Sequence, residues 1–317
     1  MNRYARFAAA AVAVFACASA HAVAPRTFVA SYGADTNACS IGAPCRSFGA
    51  AIAQTSAGGE VLILDSAGYG PVTITQAVSI IAPSGIYAGI SVLGGTAPTI
   101  GIDVTAPAGA LVMLRGLAIN NVGGNGSTGI HFGSGGGLIV DRCIITGFPT
   151  GISHVASGNL SVLDTQIRDG SFGIRASAVA GTAAFLVERS TIENMTASGV
   201  EADDNGMGIV NNSMLSNIRS ASANGVGIIA VALSGNSAVT VNRTAITRSD
   251  LGVGAFGFPG GFQATATASR TVVTESGAGF ISINAFTTGI GIMYSYQNNM
   301  EDGNGTPSST PVLRSFY

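Results

Sequence analysis

Two stretches of this chain are almost superimposable at a displacement of 22 residues, and that repeat constrains the fold more than any other feature. Leu138-Ile139-Val140-Asp141-Arg142-Cys143-Ile144-Ile145, followed by Gly151-Ile152, returns as Leu160-Ser161-Val162-Leu163-Asp164-Thr165-Gln166-Ile167, followed by Gly173-Ile174. Further copies centre on Leu114, Val187, Val210, Val241 and Ala268, each with a second anchor five residues on. That second anchor falls at 119, 145, 167, 192, 215, 246 and 273, with steps of 22 to 31 residues. A fixed pair of strands separated by variable steps places the insertions in turns, the signature of a solenoid.

Each copy reads as a strand, a corner, a second short strand, a Gly corner and a third short strand. A helix would need an apolar period of roughly 3.6 residues sustained over a long window, and none runs between 60 and 300. Consecutive copies in register pair in parallel, roughly 4.8 Å apart. The expected fold is therefore an all-β, single-stranded right-handed parallel β-helix with a short N-terminal capping helix. Clusters such as Val61-Leu62-Ile63, Val72-Thr73-Ile74 and Val78-Ser79-Ile80-Ile81 supply less regular early coils. Stacked coils leave an apolar cross-section at each end. Arg46 to Thr55, with Phe48, Ala51, Ile52 and Thr55 on one face, is predicted to cover the first coil as a helix.

In the six copies from Val140 onward, the third residue after the first anchor is small: Cys143, Thr165, Ser190, Ser213, Thr244 and Thr271. Such a column suits a tight turn or an inward hydroxyl ladder. The Gly before each third strand is read as a corner that needs positive φ. The second residue after the anchor forms a polar ladder, Arg142, Asp164, Arg189, Asn212, Arg243 and Arg270. Ion pairs between neighbouring coils are its simplest reading. Its functional reading is a groove in which Arg142, Arg189, Arg243 and Arg270 bind the carboxylates of an acidic polysaccharide, with Asp164 or Glu188 as acid or base.

Residues 1–22 have a basic start at Arg3 and Arg6, an apolar run from Phe7 to Cys17 and small residues ending Ala20-His21-Ala22. This is the layout of a signal peptide, with an apolar run too short to span a bilayer. Cleavage after Ala22 or Ala20 is expected, and acylation of Cys17 is the lesser alternative. The processed chain, periplasmic or extracellular, is then divided into 23–59 (first strand, disulfide loop and capping helix), 60–300 (β-helix) and 301–317 (C-terminal cap or tail). In an oxidising compartment Cys39 and Cys45, in one short polar loop, are expected to pair, while Cys143 reads as a buried free thiol.

Lysine is absent, and the processed chain sets 12 arginines against 16 carboxylates for a net charge of −4. That excludes nucleic acid as an expected partner, since phosphate neutralisation needs clustered cations. The processed chain carries no transmembrane segment, and oligomeric state has no signature in the sequence.

The coil pattern together with Thr27-Phe28-Val29-Ala30-Ser31, Gly33-Ala34-Asp35, Pro44-Cys45-Arg46-Ser47-Phe48 and Tyr69-Gly70-Pro71 resembles the pectin-lyase-like right-handed β-helix superfamily over residues 26 to 300, and within it exported bacterial repeat proteins. The resemblance implies the fold. It implies two chemistries, neither complete here. Its lyases use calcium-binding carboxylates with an Arg or Lys base and an Arg-x-Pro-x-x-Arg signature, which is missing. Its hydrolases carry Asn-Thr-Asp, Asp-Asp and Gly-His-Gly, of which only Asp203-Asp204 is present.

Asp164, Glu188, Asp203 and Asp204 are thus the catalytic candidates. No metal site is expected; calcium at the acidic turn of Asp203 and Asp204 is the one cofactor candidate. His131 and His154, each after a Gly corner, are read as exposed turn side chains rather than a catalytic pair. With no complete catalytic constellation, the expected function is binding of a polysaccharide or cell-surface glycan along the solenoid. A divergent polysaccharide lyase or glycoside hydrolase is the alternative.

Overall fold

The computed structural model describes residues 23–94, 99–284, 288–306 and 312–314. The expected signal peptide lies outside them. The repeat folds as the right-handed parallel β-helix that its spacing requires. Among the described residues, twelve first strands form one parallel sheet, from Ala24–Val29 to Val312–Arg314. Second and third strands join in a 17-stranded sheet.

The register stacks each anchor on its equivalent. Leu114, Val140, Val162, Val187, Val210, Val241 and Ala268 form one column, all 0 % exposed. Ile119, Ile145, Ile167, Ile192, Leu215, Ile246 and Val273 form a second inward column. Alternate side chains point out, as the period of a strand demands. The interior is filled mainly by such aliphatic columns, with Phe48, Phe132, Phe148 and Phe280 among the buried side chains.

The small residues after the first corner do both things expected of them. Each hydroxyl turns inward beside the tight corner and serves its own coil and the one before. Ser190 Oγ accepts the Thr165 N–H at 3.2 Å and donates to the Glu188 carbonyl at 3.0 Å. Ser213 Oγ takes the Ser190 N–H at 3.2 Å, and Thr165 Oγ1 takes the Cys143 N–H at 3.3 Å. Backbone groups turned away from the ladder at the corner are thereby satisfied. Cys143 stands in this column as a free buried thiol whose pKa burial pushes up to about 12.

The reason for the Gly column differs from the expectation. Gly101, Gly129, Gly151, Gly173, Gly199, Gly227 and Gly252 are absent from the positive-φ residues. Close approach requires them instead: a Cβ on any of the seven would lie 2.4–2.8 Å from the carbonyl oxygen of the next coil's glycine. The left-handed conformation belongs to the polar ladder at the first corner, where Arg142, Asp164, Arg189, Asn212, Arg243 and Arg270 have φ of 48–52°. One residue there turns the chain from the first strand into the second.

The helix spans Phe48–Ala53, shorter than the predicted 46–55, because Thr55 already begins the strand Thr55–Ile63. Ser47 caps it by accepting the Ala50 N–H, and Phe48, Ala51 and Ile52 are buried against the first coil. Cys39 and Cys45 form a disulfide beside it, both 0 % exposed. In the segment 301–317, expected as a cap or tail, the described part still follows the solenoid: Met300–Asp302 pairs with Val272–Thr274 and Val312–Arg314 with Ile290–Tyr296. Among the described residues no helix is long and apolar enough to cross a membrane.

His154 lies in a third strand, Thr150–His154, not in a turn, and its side chain points into the core. It stacks on Phe132 with centroids 5.0 Å apart, one ring nitrogen meets the Ala184 carbonyl at 3.1 Å, and Nδ1 has no hydrogen-bond partner among the described residues. Burial lowers its pKa from 6.5 to about 4.

Gly173→Ala loses about 2 kcal/mol or more of stability by overpacking, whereas Gly49→Ala, with open space around its Cβ in a helix, gains up to about 1 kcal/mol. Chemical denaturation of both variants checks the contrast. For His154 the unfolded chain takes up the proton first as pH falls, so stability is full above about pH 6.5 and declines towards pH 4. Between pH 7 and pH 5 this histidine accounts for a loss of about 2 kcal/mol, and His154→Phe removes that share of the pH dependence in thermal melts.

Candidate functional site

The sequence candidates separate onto different parts of the surface. At the first corner the ladder is an ion-pair network. Arg189 donates to both oxygens of Asp164, at 2.9 and 2.8 Å, and to Glu188 at 3.3 Å. Glu188 also accepts from Asn211 at 2.7 Å and Asn212 at 2.8 Å. The Arg189 hydrogen bond holds Asp164 below its ordinary range, and the Asn212 hydrogen bond does the same for Glu188. Both are thus stable carboxylates with their lone pairs engaged, a poor state for a proton donor. Arg142 reaches Asp141 at 3.4 Å, while Arg243 and Arg270 are exposed and form no ion pair among the described residues.

Asp204 serves the neighbouring turn. It accepts the N–H groups of Leu233, Ser234 and Gly235 at 2.7, 2.8 and 3.2 Å, and the Ser234 hydroxyl. Burial works to raise its pKa, but these donors outweigh it and hold the group ionised. Asp203 accepts from Arg175 at 2.6 Å and from the Asp204 N–H at 2.9 Å. The acidic turn therefore spends its oxygens on N–H donors. Among the described residues no group of three or more His, Cys, Asp or Glu is placed to hold a metal ion.

A different row of groups comes together on the outer face of the third strands. Parallel register aligns Asp103, His131, Ser153, Arg175 and Glu201 on five consecutive coils. His131 thus sits in a strand, Thr128–Ser134, and not in a turn, with Nδ1 2.8 Å from Asp103. Arg175 is the fourth member of the row. Its Nε lies 3.1 Å from Glu201, its Nη2 2.6 Å from Asp203, and its guanidinium 5.3 Å from the centroid of Phe172. Nearly half of its side chain, 46 %, is exposed. The fork is held in place and still presents N–H groups outward.

Glu201 differs from every candidate drawn from the sequence. It is 8 % exposed, and burial raises its pKa against the opposing pull of Arg175 and of the Ser198 hydroxyl, which donates to it at 3.0 Å. A carboxyl raised by burial beside a second carboxylate is the arrangement that separates a proton donor from its ionised partner. Asp203, just past the end of that strand, meets the same Arg175 guanidinium as Glu201.

Of the sequence candidates, only Asp203 belongs to this cluster; Asp103, Arg175 and Glu201 were not singled out. The signal was present in the register. Each is the second residue after the Gly of its third strand, as Gly101 to Asp103, Gly173 to Arg175 and Gly199 to Glu201 show. Polar ladders counted from the first-strand anchors select the corner instead.

Comparison with known proteins agrees with the architecture. The family model described as "Right handed beta helix region" matches residues 84–244. The solved structure of pectate lyase Pel9A is similar, with a TM-score of 0.65 at 15 % identity, over 91 % of this chain and 79 % of that one. A rhamnogalacturonan lyase aligns over 90 % of this chain and 84 % of its own, with a TM-score of 0.49 at 11 % identity. No curated protein matches the sequence.

Proposed function

The chain belongs to the right-handed β-helix family, and from that premise we propose that it is an exported solenoid that binds a polysaccharide along the outer face of its third-strand sheet. The observation that carries this reading is the row Asp103, His131, Ser153, Arg175 and Glu201, one outward polar group per coil. A ladder of donors and acceptors at the coil spacing, roughly 19 Å from first to last, matches an extended chain of hydroxyl-bearing rings better than a small compact ligand. Arg175 provides a preorganised fork, so little side-chain entropy is lost when it engages a ligand oxygen. Phe172 adds an apolar ring beside it. The fold shared with a protein named a pectate lyase favours a glycan as the ligand class, and the Cys39–Cys45 disulfide favours an oxidising compartment.

A second reading rests on Glu201 alone. Protonated Glu201 next to the Asp203 carboxylate provides an acid and a base or nucleophile for glycoside cleavage. In that reading activity falls as pH rises through the elevated Glu201 pKa, because the proton donor is lost.

One experiment separates the two. Purified protein is incubated with acidic and neutral polysaccharides while retention, reducing ends and unsaturated-product absorbance are followed together. The expected result is retention without turnover, weakened at least tenfold by Arg175→Ala and unchanged by Arg243→Ala. Product formation abolished by Glu201→Gln replaces the binding reading with the hydrolytic one. Equal retention by wild type and Arg175→Ala sinks the assignment of the site to this face.

A further inference from the structure

The first corner is not uniform along the solenoid. Where six aligned coils carry a side chain at the left-handed position, the coil before them has Gly116, with φ of 73°. Space also demands glycine, since a Cβ there would stand 2.7 Å from the Ala82 carbonyl oxygen. Ala82 is fixed in that place because its N–H donates to the Arg115 carbonyl at 2.9 Å. The chain then leaves the sheet in a turn closed by the Ile86 N–H on the Pro83 carbonyl, at 3.1 Å. Beside this turn lies a cleft of about 560 Å³, lined by the apolar side chains of Ile81, Pro83 and Ile86 and by the charged Arg115 and Arg142. That volume falls within the range of small-molecule sites.

The charge of the cleft is unbalanced. Arg115 Nε lies 2.9 Å, and Arg142 Nη2 3.4 Å, from the same oxygen of Asp141. Two guanidiniums therefore share one carboxylate oxygen. The carboxylate is turned in, 15 % exposed, whereas the arginine side chains are 42 % and 48 % exposed. Elsewhere at this corner the balance is closer, as in the two-point pair of Arg189 with Asp164. The N–H groups left over at Arg115 and Arg142 form a fork suited to a planar oxyanion.

We propose that this cleft binds a sugar acid of one or two rings, its carboxylate gripped by Arg115 and Arg142 and one face of its ring covered by Ile81, Pro83 and Ile86. The site lies at the corner between first and second strands, apart from the row on the third-strand face. Either site can therefore fail without the other. The apolar wall is what distinguishes a uronate from a bare inorganic anion: a guanidinium pair alone would hold sulfate as well.

Titration of the whole protein with galacturonate, glucuronate, galactose and sulfate, by calorimetry and by NMR of the arginine Nε–H signals, tests the assignment. Saturable binding of at least one uronate, absence of galactose binding, and uronate binding at least tenfold weaker in Arg142→Gln are expected. Arg142→Lys keeps the charge but not the fork and is expected to fall between wild type and Arg142→Gln. It also supplies the comparison if circular dichroism shows that Arg142→Gln disturbs the fold. Arg175→Ala is expected to leave uronate affinity unchanged while weakening polysaccharide retention, which separates this site from the sheet row. The proposal is overturned by no saturation with either uronate, by sulfate binding as tightly as the uronates, or by Arg175→Ala weakening uronate binding as much as Arg142→Gln.

Discussion

Everything in this molecule depends on one coil lying directly on the next at hydrogen-bonding distance. The parallel ladder fixes that separation at roughly 4.8 Å, so each position in the repeat must accept its own equivalent above and below. Aliphatic columns meet the demand by burial, which favours folding in proportion to apolar area removed from water. The Gly column meets it by having no Cβ where carbonyl oxygens of the next coil approach to 2.4–2.8 Å. The hydroxyl column meets it by hydrogen bonding: the corner N–H of Thr165 finds Ser190 Oγ, and that of Ser190 finds Ser213 Oγ. A buried N–H without such a partner would cost about 1–3 kcal/mol.

The same stacking organises charge on the outside. Side chains that repeat at one outward position become a line, and the chemistry of the line depends on which residues happen to share it. At the first corner, Arg189 is held between two carboxylates, Asp164 and Glu188. Near Gly116 two arginines face one carboxylate oxygen. On the third-strand face the line is mixed, and it becomes apolar after Glu201, where Ile229 takes the equivalent place. Burial matters as much as pairing there. Arg175 is fixed by two carboxylates, yet Glu201 is so enclosed that its pKa still rises.

The architecture was legible because the repeat carries redundant information: seven copies place the same anchors at the same offsets, and a wrong register would expose every one of them. The hydroxyl ladder was legible for the same reason. The histidines were not. His131 and His154 look equivalent beside their Gly-Ile pairs, but they occupy the second and third positions after the glycine, so strand alternation sends one outward to Asp103 and the other inward onto Phe132. A single residue of offset decides between a surface group and a core group.

The sequence by itself determined the all-β class, the parallel stacking of coils, the inward columns and the small-residue corner, since each follows from periodicity, and periodicity is a property of sequence order. It also placed Cys39 and Cys45 close enough in the chain to pair. Only the tertiary structure decided which polar residues share a surface. Arg175 and Asp203 are separated by 28 residues, and their contact exists because the variable turns between coils cancel out in the register. It alone decided that Asp204 is consumed by the backbone of the next turn, that Glu201 is buried, and that a cleft forms beside Gly116. Each depends on what the adjacent coil brings alongside, and the lengths of the intervening turns, free to vary, hide that neighbour from any reading along the chain.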